Sequence, residues 1–302
     1  MEIKEFTRKI QQKVSTKLGP GYQVKIQEVR KNNNVCLHGI LILSKQQNVS
    51  PTIYLDQFLE AYHRGITLSE ITAKIIEIYR KDTPGRNVDM EFFKDFEKVK
   101  DRICYRLISA EKNRRLLEEI PSVPFLDLAI SFYYAYQGKD LGNGTILIHN
   151  SHLEMWHTSV AELMQLAQQN TLRLFPWECK SMEEIMLEYQ EQEQLDQEEG
   201  QEEFFGEMPM VILSNSQRTH GAACILYPGL LEELAAQAGA DLYILPSSIH
   251  EVILLADTKA DDPGLLREMV KEVNMSQVGP EEVLSNQIYY YDRIKKNVKI
   301  IF

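Results

Sequence analysis

The chain of 302 residues lacks any long hydrophobic run. Its longest mainly apolar stretch, Phe125 to Tyr136, is shorter than the roughly 18 residues that indicate a membrane span, and its tyrosines favour a strand. The N-terminal segment MEIKEFTRKIQQK is charged and lacks the apolar core of a signal peptide. We therefore expect a cytoplasmic protein that has no membrane partner.

Cysteine is scarce, and the four that occur are widely spaced: Cys36, Cys104, Cys179 and Cys224. The absence of Cys-x-x-Cys argues against a disulfide framework and predicts reduced thiols. Cys36 with His38, and His220 with Cys224, would each share a strand face, and two such strands can present ligands to one zinc. Nothing in the sequence brings the two pairs together, so buried cysteines beside hydrogen-bonded histidines are favoured and no metal is predicted.

The sequence also lacks motifs that fix a chemistry. Neither of the common glycine-rich nucleotide cradles occurs, so no cofactor is predicted. The Gly-x-Ser-x-Gly elbow of serine hydrolases is missing as well. His250 and Glu251 would begin a helical zinc-protease motif only if a second histidine followed one turn later, and that position is Leu254.

Excess negative charge is confined to one segment. The net charge is -11, but residues 183–203 hold ten acidic and no basic residues, and the remainder carries 33 basic and 34 acidic ones. A nucleic-acid partner is therefore not indicated, and the basic cluster of Lys112, Arg114 and Arg115 is typical of a solvated helix face. Residues 190–203 contain too few apolar side chains to offset the entropy of ordering, so we predict a flexible segment there.

Hydrophobic periodicity predicts helices and hairpins in the first part of the chain. An apolar stripe from Ile3 to Leu18 indicates a helix, and the following runs, Tyr22 to Ile26 and Val35 to Leu43, indicate a hairpin. Ser50 and Pro51 predict the start of a second helix, and Thr67 with Glu70 predicts a capping box for a third. The punctuation Pro84-Gly85 predicts a boundary.

The middle of the chain alternates strands and helices. Ile103 to Leu107 predicts one strand, and Phe125 to Tyr136 a second, whose partner is Thr145 to His149. Ser159 with Glu162, and Ser181 with Glu184, are typical of helix starts.

The stretch from Pro209 to Asp257 organises the remainder. Val211 to Leu213 and Ala222 to Tyr227 predict a hairpin-like pair, followed by a helix that ends at Gly239 and by strands at Leu242 to Leu245 and Val252 to Leu255. Beyond it, Pro263 and Pro280 each predict a helix start. Ile288 to Tyr291 and Val298 to Phe302 predict a closing strand pair.

These elements predict an α+β protein in which short antiparallel hairpins and mixed strands pack with amphipathic helices. Residues 1–84 are expected to form an N-terminal α/β module. Residues 85–302 are expected to form a larger α+β region that contains the acidic, flexible segment at 190–203.

Polar side chains collect in two turns of the organising stretch. The candidate ligand-binding residues are Asn215, Arg218, His220, Ser247, Ser248, His250 and Glu251. These are donor and acceptor types that anion-binding or hydrolytic sites use, but serine catalysis also needs a base within reach and an oxyanion hole. Pro246-Ser247-Ser248 is equally typical of a turn whose hydroxyls bind backbone groups, so turn, binding and catalysis all stay open.

Four separated segments resemble a known family. They are NVSPTIYLDQFLEAYHRG from Asn48, LGNGTILIHNSHL from Leu141, LSNSQRTHGAACILY from Leu213 and YILPSSIHEV from Tyr243. Together they are similar to the family called domain of unknown function 5688. The resemblance implies a soluble protein of bacteria in the Firmicutes group, and it implies no activity and no catalytic residue.

The function that the sequence favours is a non-catalytic binding or regulatory protein of the bacterial cytosol, since no complete catalytic motif occurs. Its partner would be another protein or a small ligand. The alternative is a hydrolase that uses the Ser/His/Glu cluster at residues 247–251.

Overall fold

The computed structural model describes residues 1–44, 50–82, 91–138, 142–181, 184, 210–246, 248–257 and 262–301. The predicted boundary at residue 84 and the acidic segment at 190–203 lie outside the described residues. The fold is α+β, as predicted, and no helix within the described ranges is long and apolar enough to cross a bilayer. The chain divides into two compact units: Met1–Asp95 with Tyr136–Gly144, and Phe96–Ala135 with Thr145–Phe302.

The first unit packs three helices on a small antiparallel sheet. The helices are α1 (Ile3–Leu18), α2 (Asp56–His63) and α3 (Leu68–Asp82), and the strands, in sheet order, are β1 (Tyr22–Arg30), β2 (Cys36–Ser44) and β3 (Thr52–Tyr54). The predicted stripe of α1 is its buried face, because Phe6, Ile10 and Val14 pack in one core with Ile40 and Ile75. The first helix and the hairpin are therefore confirmed.

Two predicted helix starts in this unit have different outcomes. The helix predicted from Ser50 and Pro51 is wrong, because Thr52–Tyr54 is the edge strand β3 and α2 begins only at Asp56. The Ser50 hydroxyl donates to the carbonyl of Ile42 at 2.8 Å, so it ties the chain to β2 and caps no helix. The capping box of Thr67 and Glu70 is confirmed, since each side chain accepts the backbone N–H of the other.

A four-stranded sheet follows, most of which lies in the second unit. After the 3-10 helix Glu91–Lys94 come α4 (Phe96–Val99), the 3-10 helix Lys100–Arg102, β4 (Ile103–Ser109), α5 (Arg114–Glu119), β5 (Ser122–Phe125), β6 (Leu128–Gly138) and β7 (Gly142–Leu147). The strand order is β4-β6-β5, and β7 also pairs with β6, as predicted. The single strand predicted from Phe125 is wrong: Leu126, with φ of 55°, turns the chain so that Phe125 pairs with Leu128.

Helix α7 covers the free edge of β4. It spans Val160–Leu174, follows α6 (Asn150–Trp156), and is capped by Ser159 as predicted. The hydroxyl of Thr171 accepts the backbone N–H of Tyr105 at 3.1 Å. The edge of β4 is thereby paired with a side chain of the helix.

The organising stretch supplies three strands of a six-stranded antiparallel sheet. The strands of this sheet are β8 (Trp177–Ser181), β9 (Met210–Asn215), β10 (Leu242–Leu245), β11 (Val252–Ala256), β12 (Tyr289–Asp292) and β13 (Asn297–Ile300), in the order β13-β12-β10-β11-β9-β8. Helix α8 (Leu230–Ala238) ends at Gly239, and α9 (Pro263–Ser276) starts at Pro263, both as predicted. The antiparallel pairs β10-β11 and β12-β13 are also confirmed.

The hairpin predicted at residues 211–227 is wrong. Strand β9 has β8 on one side and β11 on the other, so neither edge is left for residues 222–227. His220, with φ of 56°, turns the chain away into the 3-10 helix Gly221–Leu226. The short helix predicted from Pro280 is also absent: residues 279–283 form a turn, and Val283 bridges to Ser248.

Candidate functional site

The pairing of β9 with β11 brings the two candidate turns together. Leu213, near the end of β9, faces Val252, at the start of β11. The chain leaves β9 into the turn 215–220 and enters β11 from the turn 246–251. The two turns therefore lie side by side at one end of the six-stranded sheet.

Asn215 shapes the first turn. Its side-chain oxygen accepts the backbone N–H groups of Gln217 at 3.1 Å and Thr219 at 3.3 Å, and its amide nitrogen donates to the carbonyl of Thr219 at 2.8 Å. Asn215 is buried, and these bonds stabilise a turn in which Arg218 and His220 both have positive φ. The polar groups of Asn215 are thus used within the protein, and Arg218 is exposed.

Ser248 shapes the second turn in a similar way. Its hydroxyl accepts the backbone N–H of His250 at 3.0 Å, which is a serine turn. The hydroxyl of Ser214, on β9, donates to the carbonyl of His250 at 2.7 Å and joins the second turn to the strand. Ser247 lies outside the described residues.

The two histidines connect the turns directly. The backbone N–H of His220 donates to Nδ1 of His250 at 3.3 Å, and the two rings stack with centroids 5.9 Å apart and planes at 9°. Because Nδ1 of His250 is an acceptor, the neutral ring carries its proton on Nε2. That nitrogen lies 3.6 Å from Oε1 of Glu282, at a half-exposed position.

Gly221 allows this close contact. A Cβ at this position would lie 2.2 Å from the hydroxyl oxygen of Ser214 and 2.4 Å from the carbonyl oxygen of His250. No side chain fits between the start of the 3-10 helix and the two turns. Glycine at position 221 is therefore required by the packing of the site.

The ring of His220 is buried between aromatic neighbours. The ring centroid of Tyr133, on β6, lies 5.3 Å from that of His220, and His250 stacks on the same ring. Burial, then the positive charge of Arg106, then His250 lower the pKa of His220 to about 3, so this imidazole is neutral near pH 7. Its Nδ1 is buried and has no hydrogen-bond partner among the described residues.

The sequence did not point to Arg106 or Tyr133. Arg106 lies on β4 opposite Ser131 of β6, and its Nε donates to the hydroxyl of Ser131 at 3.3 Å. Burial lowers the pKa of the guanidinium. The available signal was a single arginine inside the otherwise largely apolar segment ICYRLIS. The alternation of Ile103, Tyr105 and Leu107 predicted that Arg106 lies on a solvent-exposed face. In the structure, both faces of β4 are largely buried.

The structure brings together only some of the predicted residues. Asn215 and Ser248 each hold their own turn by hydrogen bonds, and the bond from the backbone of His220 to His250 joins the two turns. In the described part of the chain no hydrogen bond or ion pair joins Glu251 to them, and Arg218 is exposed. The Ser248 hydroxyl accepts a backbone N–H, and no imidazole nitrogen in the described ranges accepts its proton.

The residues considered for zinc are held by other partners. His38 pairs through Nδ1 with Asp56 at 3.0 Å in the first unit, whereas Cys224 in the second unit donates to the carbonyl of Ser214 at 3.3 Å. Burial raises the pKa of the Cys224 thiol to about 12, which disfavours the thiolate that binds metal. The strand face predicted for His220 and Cys224 is wrong, because both belong to the 3-10 helix and its cap. Across the described ranges no group of three metal-binding side chains occurs.

Comparison with known proteins gives a family for this chain. The model of a family described as "Family of unknown function (DUF5688)" matches residues 3–293. The chain belongs to the DUF5688 family. The resemblance seen in four separated segments is thereby confirmed. No curated protein and no solved structure matches this DUF5688 chain.

Proposed function

We propose that this DUF5688 protein is a non-catalytic binding protein of the bacterial cytosol, and that its ligand contacts His220 and His250. The observation that carries the proposal is the buried Nδ1 of His220, which lacks a hydrogen-bond partner in the described ranges. A buried polar atom without a partner costs roughly 1–3 kcal/mol, so native proteins usually supply a partner, water or ligand for it.

The position of this nitrogen also supports binding. The buried ring of His220 packs against the rings of Tyr133 and His250, so its orientation is constrained before any ligand arrives. His250 beside it is half-buried and presents Nε2 toward Glu282, where the site reaches solvent. A small ligand can approach from this side without unfolding either turn.

The geometry favours binding over hydrolysis. A serine nucleophile needs its hydroxyl within hydrogen-bond reach of a general base. The hydroxyls of Ser214 and Ser248 are both used to hold the second turn, and Nδ1 of His250 is occupied by the backbone of His220. Among the described residues of the two turns, both serine hydroxyls and Nδ1 of His250 therefore already have a structural role.

A ligand screen tests the proposal. The parent protein is melted in the presence of each member of a library of anionic, neutral and cationic metabolites. At least one compound should raise its melting temperature. His220→Asn should lose the response, because asparagine tolerates the left-handed backbone but lacks the ring. His157→Asn is the matched control, since His157 is exposed and also left-handed, with φ of 54°.

The same protein should be assayed with a chromogenic ester, 4-nitrophenyl acetate. We expect no turnover above that of the His157→Asn control. Turnover that Ser248→Ala abolishes would overturn the proposal in favour of the hydrolase, and a library without any stabilising compound would contradict it as well.

A further inference from the structure

Arg106 is a half-buried arginine whose terminal nitrogens have no acceptor in the described ranges. Its one hydrogen bond joins Nε to the hydroxyl of Ser131. Other arginines of the unit use their nitrogens differently: Arg173 donates to the carbonyl of Asp101 and to the side chain of Asn170, and Arg293 lies 3.8 Å from Asp241. Arg106 therefore differs from these two arginines: its side chain is half-buried, and no carboxylate or carbonyl group in the described ranges accepts a hydrogen bond from it.

Strand geometry places this charge beside the two turns. Arg106 faces Ser131, and Tyr133 lies two residues further along β6, so all three side chains share one face of the sheet. The ring of Tyr133 contacts that of His220, which stacks on His250. We call Arg106, Ser131, Tyr133, His220 and His250 the Arg106 cluster.

The cluster offers donors and lacks an anion. The guanidinium has free N–H groups, and the proton of His250 is on Nε2. Tyr133 is buried and its hydroxyl makes no hydrogen bond within the described part of the chain. Glu282, the nearest carboxylate to His250, lies at the rim and is half-exposed.

Burying a cation without a counter-ion is unfavourable, whereas a planar guanidinium pairs bidentately with a carboxylate or phosphate. A protein that keeps such a cation near a partnerless imidazole nitrogen has both parts of an oxyanion site when that nitrogen carries the ring proton. Burial also lowers the pKa of Arg106, which is the expected sign for a charge that lacks a partner.

We propose that the Arg106 cluster binds the carboxylate or phosphate group of a small ligand, with Arg106 as its bidentate anchor. This inference rests on the proposed binding function and specifies the chemical class of the ligand. The ring nitrogen of His220 and the hydroxyl of Tyr133 would contact the group or the atoms next to it.

Thermal melting with inorganic phosphate and with acetate, each against sodium chloride at equal ionic strength, tests this inference. At ten times its dissociation constant the bound anion should raise the melting temperature of the parent by about 2–4 °C. The phosphate and acetate arms show which oxyanion the site prefers. Arg106→Met should abolish the response while melting at or above the temperature of the ligand-free parent.

The control is Arg114→Met, which removes the same charge from an exposed position of the same unit and should respond like the parent. Arg106→Lys is the second variant, because lysine keeps the positive charge but lacks the planar guanidinium that binds an oxyanion through two parallel hydrogen bonds. It should need at least about tenfold more phosphate or acetate for half-saturation, a loss of about 1.4 kcal/mol.

The outcomes separate this inference from the proposed function. If neither phosphate nor acetate stabilises the parent, or if Arg106→Met responds as fully as Arg114→Met, the oxyanion inference is wrong. A neutral or cationic compound that stabilises the parent but not His220→Asn would then leave the binding function standing. If no compound of any charge stabilises the parent, both fail.

Discussion

At the scale of single residues, the neutral state of His220 makes stability depend on pH. The pKa of His220 is about 3 in the folded protein, against an ordinary value of 6.5. Between these values the unfolded chain binds a proton that the folded protein does not, so the free energy of unfolding falls as pH falls. Between pH 7.5 and pH 5 this histidine should account for a loss of about 2 kcal/mol.

The measurement is urea unfolding of the parent and of His220→Asn at both pH values. The variant should lose about 2 kcal/mol less than the parent on acidification, whereas His157→Asn should follow the parent, because His157 is exposed. Equal pH dependence in the parent and His220→Asn would show that the ring takes up a proton in the folded state.

Gly221 gives a second prediction at this scale. Gly221→Ala should lower the free energy of unfolding by about 2–4 kcal/mol, since the new methyl group would overlap the hydroxyl of Ser214 and the carbonyl of His250. Gly144→Ala is the control, because a Cβ there meets nothing within 4 Å. Similar unfolding midpoints for the two variants would contradict the close packing of the turns.

At the scale of elements, the pairing of α7 with the edge of β4 is a specific contact. Thr171→Val keeps the shape of the side chain but leaves the buried N–H of Tyr105 without its acceptor, so it should cost about 1–3 kcal/mol. Thr16→Val on the exposed side of α1 should change stability by less than about 0.5 kcal/mol. Denaturant unfolding compares them, and an unchanged midpoint for Thr171→Val would mean that the edge is not held by this bond.

Elements held by interactions between residues close in sequence were predicted correctly, and those that depend on residues distant in sequence were not. The caps at Thr67 and Ser159 were predicted correctly, because each involves residues within one helical turn. The helix expected at Ser50 failed because Ser50 binds Ile42 on another strand. The hairpin expected at 211–227 failed because β8 and β11 occupy both edges of β9, and strand partners distant in sequence leave no local signal.

The same reasoning applies to the candidate site. The sequence offered the turn residues Asn215, His220, Ser248 and His250 because turn formers are local signals. The sequence did not indicate Arg106. Alternating apolar and polar residues mark the buried face of a strand only when the other face is exposed to solvent, and both faces of β4 are largely buried. The convergence of Arg106 with His220 depends on contact between two sheets, which no local pattern specifies.

At the scale of the whole molecule, we propose that residues 1–84 fold on their own. Within the described residues, the core of α1–α3 and β1–β3 consists of side chains between Met1 and Tyr79. An expressed fragment 1–84 should show a helical circular dichroism spectrum and a cooperative thermal transition. The same fragment with Ile10→Asp should not, since Ile10 is fully buried. A fragment 1–84 without a cooperative transition would show that later residues complete the core.

The connection between β8 and β9 determines where the chain can accept new material. Ser181 pairs with Val211, so everything between these residues starts and finishes at neighbouring positions on one edge of the six-stranded sheet. Doubling the length of such a closed connection costs only about 0.6 kcal/mol. A reporter domain whose own ends lie close together can therefore be inserted between Ser181 and Val211. This position is distant in sequence from Arg106. We therefore expect an insertion between β8 and β9 to leave the pairing of the two strands intact.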